Sequence, residues 1–79
     1  MEPFISLAQL PVGGIARVKQ LLSTGSMRRR LQDIGLIEGT RVRCVQKSPA
    51  GDPIAYEIRG AVIALRTDDS SQILIQPSE

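Results

Sequence analysis

The chain has 79 residues, of which 42% are hydrophobic and 23% are charged, a composition that predicts one small globular domain. Ten Lys and Arg residues against eight Asp and Glu residues leave a net charge of +2, well below the basic excess of typical nucleic-acid binders. One cysteine excludes an intramolecular disulfide, and the absence of histidine removes the usual general base and the commonest transition-metal ligand.

The first twelve residues carry the pattern of a short helical turn. Leu7 and Leu10 stand at helical spacing, Ser6 is a suitable N-cap, and Pro11 is a stop signal. We therefore predict a single helical or 3₁₀ turn that covers the core. The Gly-Gly pair that follows is a turn signal and leads into the first strand.

The stretch MRRRLQDIGLIEG, from Met27 to Gly39, is the only segment with a helical period. Met27, Leu31 and Ile34 stand at i, i+4 and i+7, so they share one face of a helix, while the arginines take the outer side. Ser26 is a suitable N-cap, and Gly35 can end the helix in the left-handed conformation, with the next leucine packing back. A turn containing Gly39 then leads into a strand.

Five short strands with turn signals every 8–12 residues or so are predicted around this helix. They span residues 15–22, 41–47, 54–59, 61–66 and 73–75. Apolar and polar residues alternate in them, and the inward positions are Ala16, Val18, Val42, Cys44, Ile54, Tyr56, Ile58, Ile63, Leu65, Ile73 and Ile75. The pattern predicts a mainly β fold, a small SH3-like β-barrel of about five strands with one short helix inserted after the first strand.

Few residues suggest chemistry. Cys44 stands at an inward strand position, where cysteine usually behaves as a small core hydrophobe. Asp68 and Asp69 are adjacent in a polar turn and are expected to face water. Phe4 and Tyr56 are the only aromatic residues, too few for a proline-rich-peptide groove or for base stacking. We expect no catalytic, metal or cofactor site, and the chain is not predicted to be an enzyme.

The run Arg28, Arg29 and Arg30 supports two interpretations. It can be a solvated helix face, or a docking surface for an acidic partner or a nucleotide phosphate, because arginine presents a bidentate fork. Charge alone does not separate these alternatives.

Three stretches taken together resemble a known family. RRRLQDIGLIEGTRV, GDPIAYEIRGAVIALR and the closing ILI are similar to the small FeoA-type proteins, accessory components of bacterial ferrous iron uptake. The resemblance extends roughly from Ser6 to Ile75. It implies an SH3-like barrel that acts on the cytoplasmic side of a membrane, with a FeoB-type membrane GTPase-transporter as its partner. One domain is expected over residues 1–79, with its core at about 6–75.

The resulting hypothesis is a non-catalytic, cytoplasmic accessory protein that docks on and modulates this transporter, peripheral to the membrane through its partner. The predicted contact residues, at the helix and its exit, are Arg28, Arg29, Arg30, Leu36 and Ile37. The alternative is a small-barrel nucleic-acid-binding protein that uses the arginine face of the helix together with Arg41 and Arg43. Pairing of barrel edge strands would give a homo-oligomer, and the sequence leaves the oligomeric state open.

Overall fold

Six strands and two helices make up the computed structural model, which describes residues 4–78. The strands are Ile5–Ser6 (β1), Ile15–Leu21 (β2), Arg41–Lys47 (β3), Ile54–Ile58 (β4), Ala61–Leu65 (β5) and Ile73–Ser78 (β6). The helices are Gly25–Ile34 (α1) and Thr67–Ser70 (α2), and a 3₁₀ turn, Leu7–Gln9, follows β1. The strands form one antiparallel sheet in the order β1-β6-β2-β3-β4-β5. Residues 1–3 and 79 of the predicted domain lie outside the described residues.

A single apolar core lies against the inner face of this sheet. The alternation that predicted it is confirmed in β2, β3, β4 and β6, while in β5 Leu65 is buried and Ile63 only partly so. The buried apolar residues are Leu7, Leu10, Ala16, Val18, Leu21, Leu31, Leu36, Val42, Cys44, Ile54, Tyr56, Ile58, Leu65, Ile73 and Ile75. Irregular registers after Val18 in β2 and after Cys44 in β3 bend the sheet locally. The mainly β prediction is therefore confirmed.

Two elements of the structure were not predicted. β1 adds a sixth strand, in which Ile5 pairs with Ile75, so α1 follows the second strand and not the first. Two residues are too few to show an alternation, so no strand signal is present there. The polar stretch predicted as a turn contains α2, whose Thr67 N–H donates to Asp52 Oδ1 at 3.0 Å. Ser70, at the end of α2, is fully buried.

Helix α1 ends as predicted but begins earlier. Thr24 is the N-cap, so Ser26 lies inside the first turn and the prediction that it caps the helix is wrong. Gly35 has φ 109°, and the Leu36 N–H donates to the Leu31 carbonyl at 3.0 Å, as in a Schellman motif. Both leucines are buried, which supplies the hydrophobic contact that accompanies this motif. The chain therefore leaves the helix abruptly and turns toward β3.

Tyr56 joins β4 to the 3₁₀ turn through the core. Its side chain is fully buried, and its O–H donates to the Leu7 carbonyl at 3.2 Å. Burial raises the pKa of Tyr56 to about 12, against a smaller lowering by the Ser70 hydroxyl. Burial likewise raises the pKa of the Cys44 thiol. Both residues are thus held protonated in the core, as their predicted inward positions require.

The raised pKa of Tyr56 makes stability depend on alkaline pH. The unfolded chain ionises this phenol near its ordinary pKa of 10, whereas the folded protein holds the proton to about 12. The contribution of Tyr56 to the free energy of unfolding is fully present below about pH 10. About 2–3 kcal/mol of it should be lost as the pH rises to about 12. In urea unfolding, the free energy of unfolding of Tyr56→Phe should fall less steeply over this pH range than that of the unmodified protein. Equal pH dependence of the two proteins would contradict the raised pKa of Tyr56.

Candidate partner-binding surface

The turn between α1 and β3 is fixed by one threonine. Thr40 Oγ1 donates to the Gly35 carbonyl at 2.8 Å and accepts from the Ile37 N–H at 3.2 Å. Gly39 has φ 91°, as the predicted turn requires, and its carbonyl accepts from Arg17 Nη1 at 2.9 Å. These bonds hold the helix exit against β2 and separate two surface grooves.

The first groove lies between α1, the end of β2 and the exit turn, and has a volume of about 190 Å³. This helix groove is lined by Lys19, Gln20, Leu21, Arg28, Gln32, Ile37 and Glu38. Arg28 Nη1 donates to the Leu21 carbonyl at 2.9 Å, so this arginine ties the helix to β2. Ile37 is 48% exposed and gives the groove an apolar rim. Two of the predicted contact residues, Arg28 and Ile37, therefore meet here.

The other predicted contact residues have different environments. Arg29 and Arg30 are exposed on α1, and neither has an ion pair within 4 Å among residues 4–78. Leu36 is fully buried in the core cluster, so its side chain cannot meet a partner. The prediction that Leu36 forms part of an exposed apolar step is wrong, and Ile37 alone supplies that step.

The second groove crosses β3 and β4 on the outer face of the sheet and has a volume of about 410 Å³. This arginine groove is lined mainly by Thr40, Arg41, Arg43, Glu57, Arg59 and Gly60. Val42 pairs with Ile58, which makes Arg41 and Arg59 the next residues along neighbouring strands. The three arginines and one glutamate give the groove a formal charge equal to the +2 of the whole chain.

Positive charge in the arginine groove is only weakly compensated. Arg43 Nη1 lies 3.8 Å from Glu57 Oε1, and both side chains are about half exposed, at 52% and 42%, so this pair stabilises the fold little. Arg41 also pairs directly with Arg17 across β2 and β3, an unfavourable placement of like charges. In the described part of the chain, Arg41 and Arg59 have no carboxylate partner within 4 Å.

Sequence reasoning missed Arg59. The alternation predicted Arg59 as the last residue of a strand over residues 54–59, whereas β4 ends at Ile58 and Arg59 lies in the reversal that follows. The reversal uses both central residues with positive φ, 52° at Arg59 and 86° at Gly60, as in a type I′ turn. Arginine is not a preferred residue for that conformation, so no local signal placed it there. Its side chain lies against Gly35 at the helix exit.

Two further features bear on function. Between residues 4 and 78 no group of three or more His, Cys, Asp or Glu side chains could hold a metal ion. Over the same residues, no helix combines the length and the apolar character needed to cross a bilayer.

Comparison with known proteins assigns the chain to a family. A model of the FeoA domain matches residues 5–77. The chain belongs to the FeoA domain family. This FeoA domain is 29% identical, over 89% of its length, to the Fe(2+) transport protein A/Fe(2+) transporter FeoB fusion protein of Porphyromonas gingivalis. It spans only 8% of that protein's length.

Solved structures agree with the fold. A FeoA-like protein from Clostridium acetobutylicum matches with a TM-score of 0.90 and 29% identity, over 100% of this chain and 92% of that one. FeoA of Stenotrophomonas maltophilia complexed with zinc, described as a procaryotic SH3 domain protein, matches with a TM-score of 0.81 and 26% identity. Coverage is 91% of this FeoA domain and 89% of that chain. The SH3-like prediction is therefore confirmed, and the nucleic-acid alternative is not favoured.

Proposed function

We propose that this FeoA domain is a non-catalytic accessory protein of ferrous iron uptake, which works on the cytoplasmic side of the membrane and docks on a FeoB-type transporter. The observation that carries the proposal is the fusion protein of Porphyromonas gingivalis, in which a similar segment and the transporter share one chain. A covalent link raises the effective concentration of two modules to the millimolar range, about what a weak accessory contact needs. Separate chains must achieve the same contact through a complementary surface.

The helix face is the surface that we assign to this contact. Arg29 and Arg30 are exposed and uncompensated by carboxylates within the described residues, and Ile37 places an apolar side chain at the rim of the helix groove. Arginine and large apolar residues are enriched among the groups that dominate protein interfaces. Arg28 has a structural role beneath this surface, because its guanidinium donates a hydrogen bond to the Leu21 carbonyl.

Charge reversal at Arg29 and Arg30 tests the proposal. We expect Arg29→Glu with Arg30→Glu to weaken binding to a FeoB-type transporter in detergent by about tenfold or more, because rim attraction becomes repulsion. Arg28 is left unchanged, since its replacement would also detach the helix from β2. Biolayer interferometry with the immobilised transporter measures the change, and thermal unfolding verifies that the double variant is folded.

A matched control carries the same change of charge elsewhere. Lys47 ends β3 and Arg66 follows β5, so both lie at the ends of their strands remote from the helix exit. Lys47→Glu with Arg66→Glu should change the affinity by less than about twofold. Absence of binding by the unmodified FeoA domain would refute the docking proposal. An equal loss in both double variants would refute the assignment of the helix face.

A further inference from the structure

We propose that the arginine groove binds an extended acidic segment of a protein partner, with carboxylates on Arg41 and Arg59. The groove is defined by Arg41, Arg43, Arg59 and Glu57 on the outer face of β3 and β4. This site is separate from the helix face, and the inference does not depend on docking to the transporter. Its basis is charge, spacing and the absence of any internal partner among the described residues for two of the three guanidinium groups.

The spacing of the arginines matches an extended peptide. Arg41 and Arg43 are two residues apart on one strand, so their Cα atoms are separated by about 7 Å, and neighbouring strands lie about 5 Å apart. Alternate side chains of any extended segment repeat at the same interval of about 7 Å on one face. A segment running along β3 with Asp or Glu at every second position can therefore place one carboxylate between Arg41 and Arg59, which lie beside each other across the strands, and the next carboxylate at Arg43.

Backbone conformation at Arg59 is a second observation. Its φ of 52° is unfavourable for a residue with a long side chain, whereas glycine or asparagine would form this turn without strain. Arg59 is among the residues that line the groove, and its side chain also packs against Gly35 at the helix exit. Unusual backbone conformations cluster at binding sites, where the surrounding structure maintains them.

Protein carboxylates fit the groove better than nucleotides do. Neither of the two aromatic residues lines it, so no aromatic side chain is available there to stack on a base. The lining residues include Thr40 to Arg43 and, beside them, Glu57, Arg59 and Gly60, an extent that suits a chain more than a compact anion. Glu57 Oε1 lies 3.8 Å from Arg43 Nη1 and forms a weak ion pair with it. Glu57 therefore competes with an incoming carboxylate for this arginine.

Fluorescence anisotropy with a labelled peptide of alternating Glu and Ser tests the inference at low salt. Arg41→Gln with Arg59→Gln should weaken binding by about tenfold or more, because charge-assisted hydrogen bonds to two guanidinium groups are lost. Arg29→Gln with Arg30→Gln, which removes the same charge from the helix face, should change affinity by less than about twofold. Glu57→Gln should tighten binding by about threefold, a gain that misfolding cannot imitate.

Further measurements distinguish binding in the arginine groove from nonspecific electrostatic attraction of acidic peptides to the protein. A peptide with the same number of glutamates placed at every third position should bind several-fold more weakly, since in an extended chain its successive carboxylates lie on opposite faces. Equal losses in the two double variants, or no gain from Glu57→Gln, would overturn the inference. The inference would also be overturned if inorganic tripolyphosphate bound more tightly than the peptide, or if the peptide did not bind at low salt. Loss of transporter binding in the earlier experiment leaves this result unchanged, so the two proposals fail separately.

Discussion

Replacing Leu36 by alanine should lower the free energy of unfolding by about 2–5 kcal/mol, whereas replacing Ile37 should cost less than about 1 kcal/mol. Leu36 is fully buried in the core cluster and packs at the helix exit, so its truncation leaves a cavity. Ile37, its neighbour, is 48% exposed. A domain of this size has a total stability of only about 5–15 kcal/mol, so Leu36→Ala should remove a large fraction of it.

Urea unfolding of both variants measures the difference, and the binding assay assigns the roles. Ile37→Ala should retain nearly full stability but bind the transporter more weakly, because it removes the apolar rim of the helix groove. Leu36→Ala should lose binding only in proportion to its unfolded fraction. Similar destabilisation by the two substitutions would contradict the distinction between a core residue and a surface residue at these adjacent positions.

Most of the sheet could be predicted because one of its faces is buried. Alternation in β3 and β4 follows from burial of Val42, Cys44 and Tyr56, and a shift of one residue would expose all three. β1 could not be predicted, because two residues show no period and its pairing with β6 is set by the distant end of the chain. Helix α2 was missed since its four polar residues are also typical of a turn.

The binding surface was harder to predict than the fold. Three consecutive arginines look equivalent in the sequence, yet successive helical residues point about 100° apart, so only Arg28 turns toward the Leu21 carbonyl. Leu36 and Ile37 are likewise adjacent apolar residues, and the left-handed Gly35 decides which of them faces the core. Neither direction can be read from spacing, because tertiary contacts determine both.

Gly35 is the residue on which both grooves depend. It ends α1, its carbonyl accepts from Thr40 Oγ1, and the side chain of Arg59 lies against it. The helix groove begins at this exit, and Arg59 reaches the arginine groove from the same place. Two surfaces that we assign to different partners are therefore built on one turn of the backbone.

Replacing Gly35 by alanine should lower the free energy of unfolding by about 2–4 kcal/mol. An L-residue at φ 109° costs about 1–2 kcal/mol, and the added Cβ would also meet Cδ of Arg59. Gly39→Ala is the matched control, because Gly39 has φ 91° but nothing lies within 4 Å of an added Cβ. Gly39→Ala should lower the free energy of unfolding only by the cost of placing an L-residue at positive φ, about 1–2 kcal/mol.

A double-mutant cycle with Arg59→Ala separates the two causes. Truncating Arg59 removes the atoms that the new Cβ would meet, so Gly35→Ala should cost about 1 kcal/mol less in that background. Gly39→Ala should cost the same in either background, since Gly39 has no contact to relieve. If Gly35→Ala and Gly39→Ala destabilise equally and the cycle shows no coupling, then Arg59 does not pack on the helix exit. The arginine groove would then lose the contact that positions its third guanidinium.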